Sequence, residues 1–115
     1  MQLNQRIIGD VALVEVNGDI IANTGDALLQ DKINSLRQQG YTRVLIDLGE
    51  VTYMDSAGLG DLIHAYATMR KAGGALKLMR LTKRLQDLLT ITKLLTVFET
   101  YDDEKSALDS FSPAA

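Results

Sequence analysis

Two short runs rich in branched residues, Leu3 to Ile8 and Val11 to Val16, flank the pair Gly9-Asp10. That pattern predicts an antiparallel hairpin with a two-residue turn. In the second run Ala12, Val14 and Val16 fall on one face and Val11, Leu13 and Glu15 on the other, so both faces are largely apolar and the strand belongs inside a sheet. From Thr24 to Gln39 the apolar positions Leu29, Ile33 and Leu36 recur at helical spacing, with Asn23 or Thr24 as the cap and Gly40 as the stop. Val44 to Leu48 reads as a strand in the middle of a parallel sheet, with Asp47 at its end. Leu59, Leu62, Ile63 and Tyr66 predict a second helix to about Lys71, closed by Gly73-Gly74. Leu76 to Leu81 is the next strand, Leu85, Leu88, Leu89 and Thr92 mark a third helix, Val97 to Thr100 a last strand, and Asp103 to Phe111 a short helix. The fold class is therefore α/β: one small domain over residues 1–111 with a mixed, mostly parallel sheet, an N-terminal antiparallel hairpin and four helices, and a loose tail at 112–115. Right-handed crossovers place consecutive helices on one side of such a sheet.

Composition narrows the chemistry. The 115 residues are 46% apolar and include no cysteine and one histidine, which removes disulfides, thiolate metal sites and thiol nucleophiles, and most imidazole metal sites. No metal or cofactor is expected. The N-terminus lacks the pattern of a signal peptide and no apolar stretch approaches the ~18 residues of a span, so a cytoplasmic protein with no membrane insertion is expected. Net charge is −3, which makes nucleic acid a poor partner. The charge is uneven, because residues 70–84 hold six bases and no acid. Arg70, Lys71, Lys77, Arg80, Lys83 and Arg84 are expected to form a solvated rim, with a partner patch as the alternative.

The unusual segment is Tyr53-Met54-Asp55-Ser56-Ala57-Gly58-Leu59-Gly60, between the central strand and the second helix. Asp55 or Ser56 can cap the helix, whose first-turn N–H groups and dipole also favour an anion. Gly58 and Gly60 strip side chains from the first turn and allow close approach. Enzymatic readings fail on spacing. A nucleophile elbow needs Gly where Met54 stands. The sole histidine, His64, lies eight residues along the same helix, about 12 Å from Ser56 at 1.5 Å per residue, too far to serve as its base. A dinucleotide fingerprint needs Gly where Ile63 stands, no Lys-Ser or Lys-Thr follows a glycine-rich loop, and Asp10, Asp47, Asp55 and Asp61 do not form a receiver-type acid cluster.

The block Val44-Leu45-Ile46-Asp47-Leu48 followed by Val51 to Gly60 closely resembles the signature of STAS domains, specifically bacterial anti-sigma-factor antagonists. The resemblance extends in element order along essentially the whole chain. It implies a non-enzymatic switch: the unphosphorylated protein binds an anti-sigma factor that is itself a serine kinase, frees the sigma factor, and is switched off by phosphorylation of Ser56. A PP2C-type phosphatase would restore the hydroxyl. Ala57 occupies a second hydroxyl position of the motif, leaving Ser56 as its one acceptor. The implied partner-binding residues are Asp19, Ile21, Asp55, Ser56, Ala57, Gly58, Leu59 and Gly60. One departure stands out: Gly18-Asp19-Ile20-Ile21 replaces the family's Gly-Glu-Leu-Asp, so Ile21 stands where an acid is usual. The resemblance also admits another role, as an accessory or scaffold subunit of a lipid transporter or signalling complex. A small hydrolase or nucleotide-binding protein fits less well.

Overall fold

A computed structural model describes residues 2–20 and 28–111. The expected cap at Asn23 or Thr24, Ile21 and the tail at 112–115 lie outside the described residues. The hairpin pairs β1 (Gln2–Ile8) with β2 (Val11–Asn17) antiparallel. Then follow α1 (Leu28–Gln38), β3 (Arg43–Glu50), α2 (Ser56–Lys71), β4 (Ala75–Met79), α3 (Lys83–Ile91), β5 (Thr100–Tyr101) and α4 (Glu104–Phe111). The sheet order is β1-β2-β3-β4-β5, with every pair after the first parallel. Among the described residues the order of elements along the chain and the four helices match the sequence reading.

Because the strands advance in one direction across the sheet, right-handed crossovers put α1, α2 and α3 on the same face. Their inward stripes, Leu29, Ile33 and Leu36, then Leu59, Leu62, Ala65 and Met69, then Leu85 and Leu89, meet Ala12, Val14, Val16, Val44, Ile46, Leu48, Leu76 and Leu78 in the main core. The other sheet face is covered by α4, whose Ala107 and Phe111 pack on Val11, Leu13, Leu45 and Met79. Strand β2 is therefore apolar on both faces, as its sequence requires.

Four expectations need correction. Ile63 is exposed, because the stripe that faces the sheet runs 59, 62, 65, 69 and places position 63 outward. The last strand is Thr100–Tyr101 rather than Val97 to Thr100. The backbone turns back at 97 and 98, whose N–H groups both donate to the Leu94 carbonyl, and this drops Phe98 into the core against the edge of the Tyr66 ring, 5.1 Å between centroids. Strand β4 stops at Met79 because Arg80 takes a positive φ of 56°.

The fourth correction concerns charge. Asp47 lies inside β3, 5% exposed, on the α4 side of the sheet. Its carboxylate accepts two bonds from Arg80, at 2.9 Å from Nε and 2.8 Å from Nη2, and one from the Gly49 N–H at 2.9 Å. The hydrogen bonds first, and the negative charge second, push the Arg80 guanidinium further above its usual pKa. Lys77 is buried as well: its ammonium donates to the carbonyl and hydroxyl of Ser110 at 3.0 Å, near the end of α4, and lies 4.5 Å from the Phe111 ring centre. Lys77 therefore belongs to the packing of α4 and not to a rim, because a long basic side chain can run its stem along apolar surface to reach a helix carbonyl, whereas Arg80 stays exposed at the rim while it pairs with Asp47. Lys71, Lys83 and Arg84 are exposed, as expected.

Candidate functional site

The segment from Gly49 to Ser56 leaves the carboxyl end of β3 and is tied down on both sides. Val51 N–H donates to the Leu48 carbonyl at 3.0 Å, closing a turn. The Val51 carbonyl accepts from the Thr82 hydroxyl at 3.2 Å, and the same hydroxyl caps α3 by accepting from Leu85 N–H. On the other side, the residues after β2 reach across: Asp19 Oδ1 accepts from the Thr52 hydroxyl at 3.0 Å and from Tyr53 N–H at 3.1 Å. Ile20 then makes a one-residue parallel bridge with Met54, its N–H donating to the Tyr53 carbonyl at 3.0 Å and its carbonyl accepting from Asp55 N–H at 3.2 Å. Ile20 and Met54 are both buried and anchor the bridge in the main core.

Asp55 is the N-cap of α2. Its backbone is extended, and Oδ1 accepts from Gly58 N–H at 2.6 Å. A carboxylate so placed satisfies a first-turn donor and opposes the positive end of the helix dipole. Ser56 is the first helical residue and is exposed, as are Ala57 and Gly60. Gly58 and Leu59 are buried. An ideal Cβ on Gly58 would lie 2.9 Å from both the carbonyl carbon and Cγ2 of Ile20, and closer still to the carbonyl oxygen. Only a residue without a side chain lets α2 begin this close to the chain after β2.

The structure thus divides the residues singled out in the sequence. Asp55, Ser56, Ala57 and Gly60 reach the surface at the start of α2. Gly58 and Leu59 face inward and set where the helix begins. Asp19 braces the 52–53 backbone. His64 is exposed on the outer side of α2, two turns beyond Ser56, with its carbonyl accepting from the Thr68 hydroxyl. Sequence reasoning missed the Asp47–Arg80 pair beneath the loop and the Thr82–Val51 bond beside it. Each joins residues about thirty positions apart, and no local signal marks either.

The outward residues of α2 continue from Ser56 and Ala57 through Gly60, Ile63, His64 and Ala67 before the first cation at Arg70. The fully exposed residues of that stripe are uncharged, with half-buried Asp61 at its flank. Tyr53, also exposed, extends it onto the loop. The family model of the STAS domain matches residues 2–107. The chain belongs to the STAS domain family. An anti-sigma-B factor antagonist of Bacillus subtilis is 39% identical to this STAS domain over 72 residues, 63% of this chain and 65% of that protein. Among solved structures, an anti-sigma factor antagonist from Mycobacterium paratuberculosis superposes with a TM-score of 0.82 at 23% identity, covering 95% of this chain and 92% of that one. The phosphorylated form of the Bacillus cell fate determinant SpoIIAA superposes with a TM-score of 0.74 at 15% identity, covering 96% and 100%. These likenesses establish the fold. Among the described residues, no helix is long and apolar enough to cross a membrane and no cluster of three or more metal-ligating side chains occurs.

Proposed function

We propose that this STAS domain is a cytoplasmic anti-sigma-factor antagonist that docks an anti-sigma factor through the 53–57 loop and the outward face of α2, with Ser56 as the phosphorylated switch residue. The observation that carries the reading is the exposed hydroxyl of Ser56 on the first residue of α2, at the head of an uncharged stripe formed by Ala57, Gly60, Ile63, His64 and Ala67. A kinase can reach that hydroxyl, and a partner that covers the stripe meets charge only at its margins, at half-buried Asp55 and Asp61.

The switch follows from electrostatics. A phosphate on Ser56 adds about −1.5 to −2 charges, which the helix N-terminus accepts at little cost to the fold. In a docked complex the same group must lose water beside the Asp55 carboxylate, a penalty of several kcal/mol for a charge without a partner. Docking therefore falls while the fold persists. The anti-sigma factor is then the kinase, a PP2C-type phosphatase restores the hydroxyl, and the chain itself catalyses nothing: Ser56 has no base beside it, since His64 sits two turns away along α2. Asp19 supports this surface from behind by fixing Thr52 and Tyr53. Nucleic acid has no part in this reading.

The test is to incubate the purified chain with candidate anti-sigma-factor kinases and ATP, map the phosphate, and titrate each partner against wild type, Ser56→Ala and Ser56→Asp. Phosphate on Ser56 alone, with binding kept by Ser56→Ala and lost by Ser56→Asp, is the expected result. Phosphate mapped to Thr52 or Ser35, or equal binding by Ser56→Asp, overturns it.

A further inference from the structure

The two edges of the sheet differ. At one edge β5 is only two residues long, too short to template another strand. At the other, β1 runs seven residues and is hydrogen-bonded to β2 on one side, with no strand among the described residues on its outer side. It contains no proline and pairs with β2 in unbroken register, without a bulge. Its one charge, Arg6, is held by its own chain, to Glu15 at 3.2 Å and to Glu104 at 2.6 Å. Apart from Arg6 and from Lys32 of α1, whose ammonium donates to Gln5 Oε1 at 3.2 Å, the devices that usually blunt an edge are missing among the described residues.

We infer that the outer edge of β1 pairs with the same edge of a second copy of this chain, antiparallel and about a two-fold axis through Gln5. The sequence of β1 is self-complementary in that register and no other. Gln5 then faces Gln5 of the second copy, Leu3 faces Ile7, Asn4 faces Arg6 and Gln2 faces Ile8. Leu3, Gln5 and Ile7 stand opposite Val16, Val14 and Ala12 of β2, so they lie on the face that carries α1 to α3. Ile7 is 42% exposed, and the pairing covers it with Leu3, whose own side chain already leans on the core. Because the axis passes through Gln5, the two arginines face asparagines and not each other. An axis through Arg6 would set the guanidinium groups opposite one another, and one through Asn4 would run Ile7 and Ile8 past the start of the strand. Like charges directly opposite across strands destabilise, while apolar cross-strand pairs stabilise.

The product is a continuous ten-stranded sheet joined over about 24 Å of strand, at ~3.4 Å per residue. A two-fold axis normal to the sheet keeps both α1–α3 layers on one side and sends the two Ser56 loops to opposite ends. Both α2 faces stay open, so the dimer presents two docking sites at once. This inference does not depend on the role proposed for Ser56. A single strand pair covers less surface than a standard interface, so the dimer is expected to be weak and concentration-dependent.

Sedimentation equilibrium on the full chain from about 5 to 500 µM, a span chosen to bracket a weak interface, tests the pairing. Wild type is expected to move from monomer to dimer across that range. Gln5→Lys places two ammonium groups on the axis beside the two Lys32 side chains and weakens the dimer by roughly tenfold, and an equimolar mixture with Gln5→Glu, whose carboxylate can face the new lysine, restores it. Gln5 is exposed and so is the bond it accepts from Lys32, so thermal melts of both variants should stay within a few degrees of wild type. Since the chain has no cysteine, Gln5→Cys supplies an independent readout: mild oxidation should yield a disulfide-linked dimer, and Asp31→Cys on α1 should not. Wild type that stays monomeric to about 500 µM, or a dimer that Gln5→Lys leaves intact, overturns the inference.

Discussion

The same substitution at two glycines two residues apart in α2 should act with opposite signs. At Gly58 an added methyl meets Ile20, with an ideal Cβ 2.9 Å from the carbonyl carbon and Cγ2 and closer still to the carbonyl oxygen. Backbone cannot swing aside as a side chain can, so α2 must back away from the chain after β2. That movement strains both bridge bonds, Ile20 N–H to Tyr53 and Asp55 N–H to Ile20. Overpacking costs about 1 to 3 kcal/mol and a lost backbone bond about 1, while replacing glycine by alanine in a helix returns about 1. The net is a loss of roughly 1 to 3 kcal/mol, which for a domain near this size lowers the melting temperature by about 5 to 12 °C. At Gly60 nothing lies within 4 Å of an ideal Cβ, so only the helix term remains. Gly60→Ala should raise the melting temperature by about 2 to 5 °C. Yet Gly60 sits on the proposed docking stripe, and its new methyl should weaken partner binding even as the fold gains stability. Differential scanning calorimetry on the two variants decides the first part and calorimetric titration the second. If Gly58→Ala melts at or above wild type, the close approach of α2 to Ile20 is wrong.

Three further outcomes are expected. Ser56→Asp should melt within a few degrees of wild type while losing partner affinity by about tenfold or more, ~1.4 kcal/mol, and a collapsed melt would instead attribute the lost binding to unfolding. Asp47→Ala removes two bonds from Arg80 and one from Gly49; because the Arg80 side chain is 47% exposed and can be rehydrated, the cost should be about 1 to 2 kcal/mol by urea denaturation, and no change would mean the pair is incidental. Asp103 accepts from Ser106 N–H at 2.7 Å at the start of α4, and that bond, first, holds its carboxyl below the usual 3.8. A depressed folded pKa adds stability that is present above the unfolded value and is lost as pH falls through the folded one. The melting difference between wild type and Asp103→Asn should therefore shrink as pH drops below about 4, and a constant difference would count against the bond.

What the sequence determined by itself was whatever depends on near neighbours in the chain. The hairpin, the helical stripes at Leu29, Ile33 and Leu36, and the doubly apolar β2 follow from spacings of two to four residues, which set the burial pattern of strands and helices directly. The Asp55 cap and the exposed Ser56 are likewise local, since a capping carboxylate acts on a donor three positions away. Tertiary structure decided everything that joins distant segments. It turned Asp47 from a strand-end acid into a buried partner of Arg80, because β3 and β4 lie side by side although the two residues are far apart in the chain. It moved Lys77 under α4, turned Ile63 outward, and drew Phe98 into the core, shortening the last strand. It also separated the motif's two glycines, burying Gly58 against Ile20 and leaving Gly60 open. Hydrophobic period records which way a residue points within its own element, whereas ion pairs, bridges and close approaches depend on which elements become neighbours, and that is settled only when the sheet assembles.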